Sequence, residues 1–169
     1  MVRNSAQSAG GAGHVQNGSD LILTNCTIAD NTASHSGAIT VVNSSAEIIN
    51  SSVWGSSPDG VVTDSSNVIA AYSNIAGYSD GVGNVDIDPL FEDAQASDYS
   101  LNQFSALIDA GNPDSPNDPD GTTADIGAFY FGQTPFAASL SLPIDSAAVG
   151  QVSVIKVRAS ADRLISATL

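Results

Sequence analysis

Acidic side chains dominate what this sequence could do chemically. Asp59 and Asp64 flank one short apolar run, and His35 lies near the edge of the run before it. Two carboxylates at a set separation, with a third group sometimes helping, are the parts of a glycoside hydrolase site. The same residues also read as turn chemistry, because Pro58-Asp59-Gly60 and Asp64-Ser65-Ser66-Asn67 are both turn sequences. The densest acidic stretch runs from Asp80 to Asp125, and its centre is Asp114-Ser115-Pro116-Asn117-Asp118-Pro119-Asp120-Gly121. Alternating oxygen ligands followed by a glycine suit a hard, flexible cation such as Ca²⁺. Asp114, Asp118, Asp120 and Asp125 are therefore candidate ligands of a structural calcium ion. Pro116 stands where the first acid of a twelve-residue calcium loop should be, and no bidentate Glu follows, so a solvated Asp/Pro/Gly turn is the competing reading.

Trp54, Tyr72 and Tyr78 are candidate sugar-binding residues, since an aromatic face can stack on the apolar face of a sugar ring; the alternative is that they pad a core. His14 and His35 precede the opening glycines of adjacent segments and could share a face as metal ligands, or sit in exposed turns.

The chain has 169 residues and 42% hydrophobic content, enough for one compact domain or a domain and part of another. It carries 4 Lys and Arg against 18 Asp and Glu, a formal net charge of -14. Between Arg3 and Lys156 there is no basic residue except the two histidines. Nucleic acid is excluded as a partner, because such binding rests on cations that displace counterions from phosphates. A polyuronate lyase using an Arg or Lys base is disfavoured for the same interval. No apolar stretch is long enough to span a bilayer. Cys26 is the single cysteine, so there is no internal disulfide and no CxxC motif.

The elements that must position these residues repeat. Gly13 leads through a polar turn to Leu21-Ile22-Leu23-Thr24 and then Asn25-Cys26-Thr27-Ile28. Gly37 leads to Ala38-Ile39-Thr40-Val41-Val42, Glu47-Ile48-Ile49 and Asn50-Ser51-Ser52-Val53. Gly60 leads to Val61-Val62-Thr63, Val68-Ile69-Ala70 and Tyr72-Ser73-Asn74-Ile75. A period of about 22 to 25 residues, filled with short Val/Ile runs between Asn, Ser, Asp and Gly, predicts strands that must stack to bury their apolar faces. The fold expected is all-β, a parallel β-helix of about three coils. Ile28, Val53 and Ile75 should form an interior ladder. Asn25 and Asn50 should stack at a corner, with side-chain amides bonding along the stack and to turn backbone.

On these segments the sequence resembles the bacterial right-handed parallel β-helix proteins of the pectate-lyase-like superfamily, over roughly residues 10 to 132. The most specific part follows the coils: Asn84-Val85-Asp86-Ile87-Asp88-Pro89-Leu90-Phe91, Asp98-Tyr99-Ser100-Leu101, Ser105-Ala106-Leu107-Ile108-Asp109-Ala110-Gly111-Asn112-Pro113 and Asp125-Ile126-Gly127-Ala128-Phe129-Tyr130. These look like the closing segment of β-helices in large secreted bacterial proteins. The expected domains are coils over 1–79, a C-terminal capping segment over 80–132, and over 133–169 the opening strands of an incomplete immunoglobulin-like sandwich, or strands docked on the helix.

The resemblance implies a non-catalytic structural or binding module of a secreted or cell-surface protein that contacts polysaccharide and belongs to a longer multidomain chain. The alternative is a fragment of a carbohydrate-active enzyme, a polysaccharide lyase or glycoside hydrolase, whose catalytic coils lie mostly upstream.

Overall fold

The computed structural model describes residues 1–58 and 60–133; Asp59 and, but for Gln133, the immunoglobulin-like or docked strands expected over 133–169 lie outside the described residues. The repeats form nine short strands in three rungs. The first rung is β1 (Gly13–Gln16), β2 (Asp20–Thr24) and β3 (Thr27–Ala29). The second is β4 (Ile39–Val42), β5 (Ser45–Ile49) and β6 (Ser52–Trp54). The third is β7 (Val61–Asp64), β8 (Asn67–Ala71) and β9 (Asn74–Ile75). Each strand pairs in parallel with its counterpart one rung away, giving three sheets of order β1-β4-β7, β2-β5-β8 and β3-β6-β9. Parallel strands stacked in three sheets are compatible with the β-helix expected.

Strands this short must bend sharply between sheets, and each bend is made by one residue with positive φ. Asn17, Asn43 and Ser65 turn the chain between the first two sheets, with φ of 64, 47 and 50°. Asn25, Asn50 and Tyr72 turn it into the third, and Asp30, Gly55 and Gly77 turn it out again. Asn, Asp and Gly tolerate the left-handed region best, which explains why these types punctuate the repeat.

The residue after each corner ties one rung to the next. The amide of Ser51 donates to Ser73 Oγ at 3.1 Å, and the amide of Cys26 donates to Ser51 Oγ at 3.1 Å. At the first corner Ser44 N donates to Ser66 Oγ and Ser19 N to Ser44 Oγ, both at 3.2 Å. At these two corners the side-chain bonding between rungs is the work of serines. The expectation that Asn25 and Asn50 do it is corrected: Asn50 is stacked as predicted, but its buried side chain turns outward. A serine hydroxyl is short enough to stay within one rung spacing, whereas the longer Asn amide reaches a neighbouring segment.

The interior follows the strand alternation. Ile28, Val53 and Ile75 stack in register and are 0%, 0% and 2% exposed. Burying each such side chain contributes roughly 1.5–3 kcal/mol. Leu23-Ile48-Ala70 and Val15-Val41-Thr63 form parallel inward columns. One detail of the repeat shifts. Gly13 pairs with Ile39, not Gly37, and Ile39 pairs with Val61. Register is set by the inward aliphatic residues, and loops of unequal length absorb the difference between glycine spacing and strand spacing.

Residues after the third rung do two things. Val85 adds to the edge of β9, with Ile75 N donating to Val85 O at 3.1 Å and Val85 N to Ser73 O at 2.9 Å. The chain then runs back along the outer side of the β3-β6-β9 sheet, whose outward residues Thr27, Ser52 and Asn74 are all buried. Ile87 N donates to Asn74 Oδ1, Asn112 N to Asn50 Oδ1 and Ala128 N to Thr27 Oγ1, so these contacts span all three rungs. This flank has its own small core of Leu101, Leu107 and Ile126, and an antiparallel pair, β10 (Phe91–Asp93) with β11 (Asp98–Leu101). Tyr99 fastens it to the stack by donating to Asp30 Oδ2 at 2.9 Å, while Arg3 Nε donates to the Tyr99 oxygen at 3.1 Å. Burial, more than any other cause, pushes the Tyr99 phenol up. The segment expected to cap the end therefore spends most of its length clasping the side.

Candidate functional site

Three inward columns shrink as they reach the third rung. Ile39 gives way to Val61, Val41 to Thr63 and Ile48 to Ala70. Smaller side chains at the end of a column leave space that the chain must cover by other means. Among the described residues, β7 and β8 have no strand on their far edges. Instead of completing a fourth rung, residues 76–85 return directly from the third corner to the second. Tyr72 N donates to Val82 O at 2.8 Å, Asn84 Nδ2 to Ala70 O at 2.8 Å, and Ser73 N to Asn84 Oδ1 at 3.0 Å. Asn84 thereby supplies the acceptor that a serine supplies elsewhere in the ladder.

Beside this crossover lies a cleft of about 360 Å³. Val61, Val68 and Ile75 give it an aliphatic floor, Thr63 and Asn67 a polar rim, and Tyr78 an aromatic wall. Tyr78 is 38% exposed. Among the described residues no Asp, Glu, Lys, Arg or His lines it.

The backbone of β7 adds to this chemistry. Ile39 N donates to Gly60 O and Asn43 N to Asp64 O, each at 2.9 Å. Because a parallel strand bonds to one neighbour through alternate residues, the amides and carbonyls of Val61 and Thr63 face away from β4, toward the open edge. Val68 of β8 stands in the same relation to β5.

A comparison with protein-family models finds no match, and comparisons with curated proteins and with solved structures find none either. The function therefore has to be argued from the geometry.

The remaining sequence-predicted residues are dispersed. Tyr78 alone of the three aromatic candidates lines the cleft; Tyr72 sits at the second corner beside Gly83, and Trp54 ends β6, half-buried. Asp64 is exposed at the end of β7 and accepts from the Ser65 hydroxyl at 3.1 Å. His35 lies in the loop between β3 and β4, where its Nδ1 is 3.2 Å from Ser8 O. His14 stacks on Thr40, so the two histidines do not align. Asp59, the other acid of the candidate pair, lies outside the described residues.

The calcium candidates meet in part. Asp125 is buried and accepts from Asp109 N at 2.7 Å through Oδ1 and from Phe131 N at 2.6 Å through Oδ2. Asp118 Oδ2 accepts from Asp125 N at 2.9 Å. Asp120 accepts from Thr122 N, the Thr122 hydroxyl and Gln133 N. Asp114 is exposed. Burial pushes the Asp125 and Asp118 carboxyls up; the amides they accept pull the other way, and the nearby charge of Asp109 raises both further. The Gln133 amide, followed by the Thr122 hydroxyl and amide, holds Asp120 below the usual range. A calcium ion wants six to eight oxygens around one point. Here the oxygens of Asp118, Asp120 and Asp125 are turned onto backbone donors. Among the described residues no three His, Cys, Asp or Glu side chains group as a metal site. As placed, these carboxylates serve as acceptors that fold the flank.

Sequence reasoning missed Thr63, Asn67 and the free backbone of β7. One signal was present: a Val-Val-Thr column ends on a hydroxyl, as an interior column does when it reaches an open end.

Proposed function

We propose that this chain is a non-catalytic structural and binding module of a secreted or cell-surface protein, part of a right-handed parallel β-helix of pectate-lyase-like kind, that contacts polysaccharide. The handedness rests on the strong preference of parallel crossover connections for the right-handed sense. The single observation that carries the binding role is a cleft whose described lining is uncharged in a protein of net charge -14, combining an aromatic wall, an aliphatic floor, hydroxyl and amide groups and a strand edge unpaired among the described residues. Sugar rings have both an apolar face and a rim of hydroxyls, and such a mixed surface meets both. The rung architecture supports a scaffold role, since stacked repeats hold surface groups at fixed spacing.

Asp64, Asp118, Asp120 and Asp125 each accept local hydrogen bonds, which favours a folding role for these carboxylates over the paired acid and base of a glycosidase. Incubation with insoluble polysaccharides tests the reading. Retention of the protein without release of reducing sugar is expected; sugar release by the purified chain contradicts the non-catalytic role, and no retention on any polysaccharide contradicts the binding role.

A further inference from the structure

We propose that the cleft at the end of the stack takes one or two uncharged sugar rings, with Tyr78 as its stacking wall and the free backbone of β7 as its hydrogen-bonding wall. This rests on the polysaccharide reading above and narrows it to one site and one chemical class of ligand. Three observations lead there.

The first is charge. Among the described residues no ionic side chain lines the cleft, and the one described Lys or Arg, Arg3, is engaged elsewhere with Tyr99 and the Ala94 carbonyl. A uronate or sulfated chain would enter the field of a strongly acidic protein, with no cation among the described lining residues to meet it. A neutral ring carries no such penalty.

The second is hydrogen-bonding capacity. The hydroxyls of a sugar lose water on binding and need replacement partners. The edge of β7 offers the amides and carbonyls of Val61 and Thr63, donors and acceptors in alternation, and β8 adds those of Val68. Thr63 and Asn67 are exposed side chains that can each donate and accept. Such a mixture matches hydroxyl groups, which also do both.

The third is size. A cleft of about 360 Å³ is at the small end of ligand pockets. It has room for a ring or two under Tyr78, not for a long chain laid across many subsites. An extended peptide could also pair with the β7 edge, but strand addition gains specificity from side-chain pockets in alternation. The described lining here forms a recess against one tyrosine.

The test uses the full chain and calorimetric titration with neutral β-1,4-linked gluco-, manno- and xylo-oligosaccharides of two to six rings, oligogalacturonates of matching length, and a six-residue alternating Val/Thr peptide. At least one neutral series should bind, with affinity reaching a plateau by two or three rings. Tyr78→Ala should weaken that binding about tenfold, whereas Tyr78→Phe stays within about threefold, because stacking needs the ring and not the phenol. Thr63→Val should weaken it several-fold. Circular dichroism of each variant verifies that the exposed substitutions leave the fold intact. Binding of neutral sugars that ignores Tyr78→Ala and Thr63→Val overturns this site while leaving the polysaccharide reading standing. Tighter binding of oligogalacturonate, or of the peptide, overturns the ligand class. Failure of every glycan, soluble or insoluble, overturns both.

Discussion

Asn50 Oδ1 accepts the amide of Asn112 at 2.7 Å, joining residues 62 apart in sequence across the boundary between stack and flank. The same buried Asn donates through Nδ2 to Ser115 Oγ at 3.1 Å, and its carbonyl accepts Gly127 N at 2.9 Å. One corner residue therefore sets the bend between β5 and β6 and anchors two separate stretches of the returning segment. Gly111 packs against it closely enough that an added Cβ would lie 3.2 Å from Asn50 Oδ1.

Replacing this residue separates its two jobs. Asn50→Ala removes the side-chain acceptor for a buried amide and places a Cβ-bearing residue without local polar compensation at φ 48°. The expected loss is about 2–4 kcal/mol in urea denaturation. Asn50→Gly keeps the left-handed bend free and should be about 1 kcal/mol less damaging. Equal losses for the two variants would mean that the bend contributes nothing.

Inward and outward isoleucines on the same sheet give a direct reading of register. Ile48 is 0% exposed and Ile22, one column over on the adjacent strand, is 69% exposed. Ile48→Ala should cost about 2–5 kcal/mol, and Ile22→Ala should stay within about 0.5 kcal/mol. A slip of one residue would exchange these faces, so comparable losses would refute the pairing of Leu23 with Ile48.

The flank carboxylates make stability depend on pH with opposite signs. Asp118 and Asp125 have folded-state pKa values raised above 3.8, so the folded state holds their protons longer than the unfolded state does. Their contribution therefore falls as pH rises from about that value through the raised ones. Asp120 is lowered, and its contribution is lost only as pH falls below 3.8 through the lowered value. Thermal midpoints from pH 3 to 7 should decline on the neutral side, and Asp125→Asn should flatten that decline. Asp114→Asn, an exposed substitution with the same change in charge, serves as the control. Equal slopes in the two variants would show that net charge alone produces the decline.

Much of the stack was legible because its signals are local and repeated. Val53 and Ile75 follow Ile28 at nearly constant spacing, and Asn25 and Asn50 mark the same bend. Where spacing is carried by loops instead of strands, the reading drifted, as with Gly37 and Gly13. The serine ladder was harder to see, since Ser51 and Ser73 are among the commonest residue types here and only the three-dimensional stacking distinguishes them. The route of residues 88–131 was not legible at all. It depends on single contacts over long separations, such as Tyr99 to Asp30 and Ala128 to Thr27, which no periodicity announces. The cleft was half legible: Tyr78 was singled out for its ring, but Thr63 and the open edge of β7 become a site only once the third rung is the last one paired.

Residue-resolved amide hydrogen exchange by NMR tests the account at its centre, which is a parallel stack in register whose last rung leaves its edge free. The amides of Val62 and Asp64 should be protected through their bonds to β4, while those of Val61 and Thr63 exchange rapidly, and a bound neutral oligosaccharide should slow the latter pair. Uniform protection along β7, or protection of Val61 and Thr63 in the free protein, would contradict it.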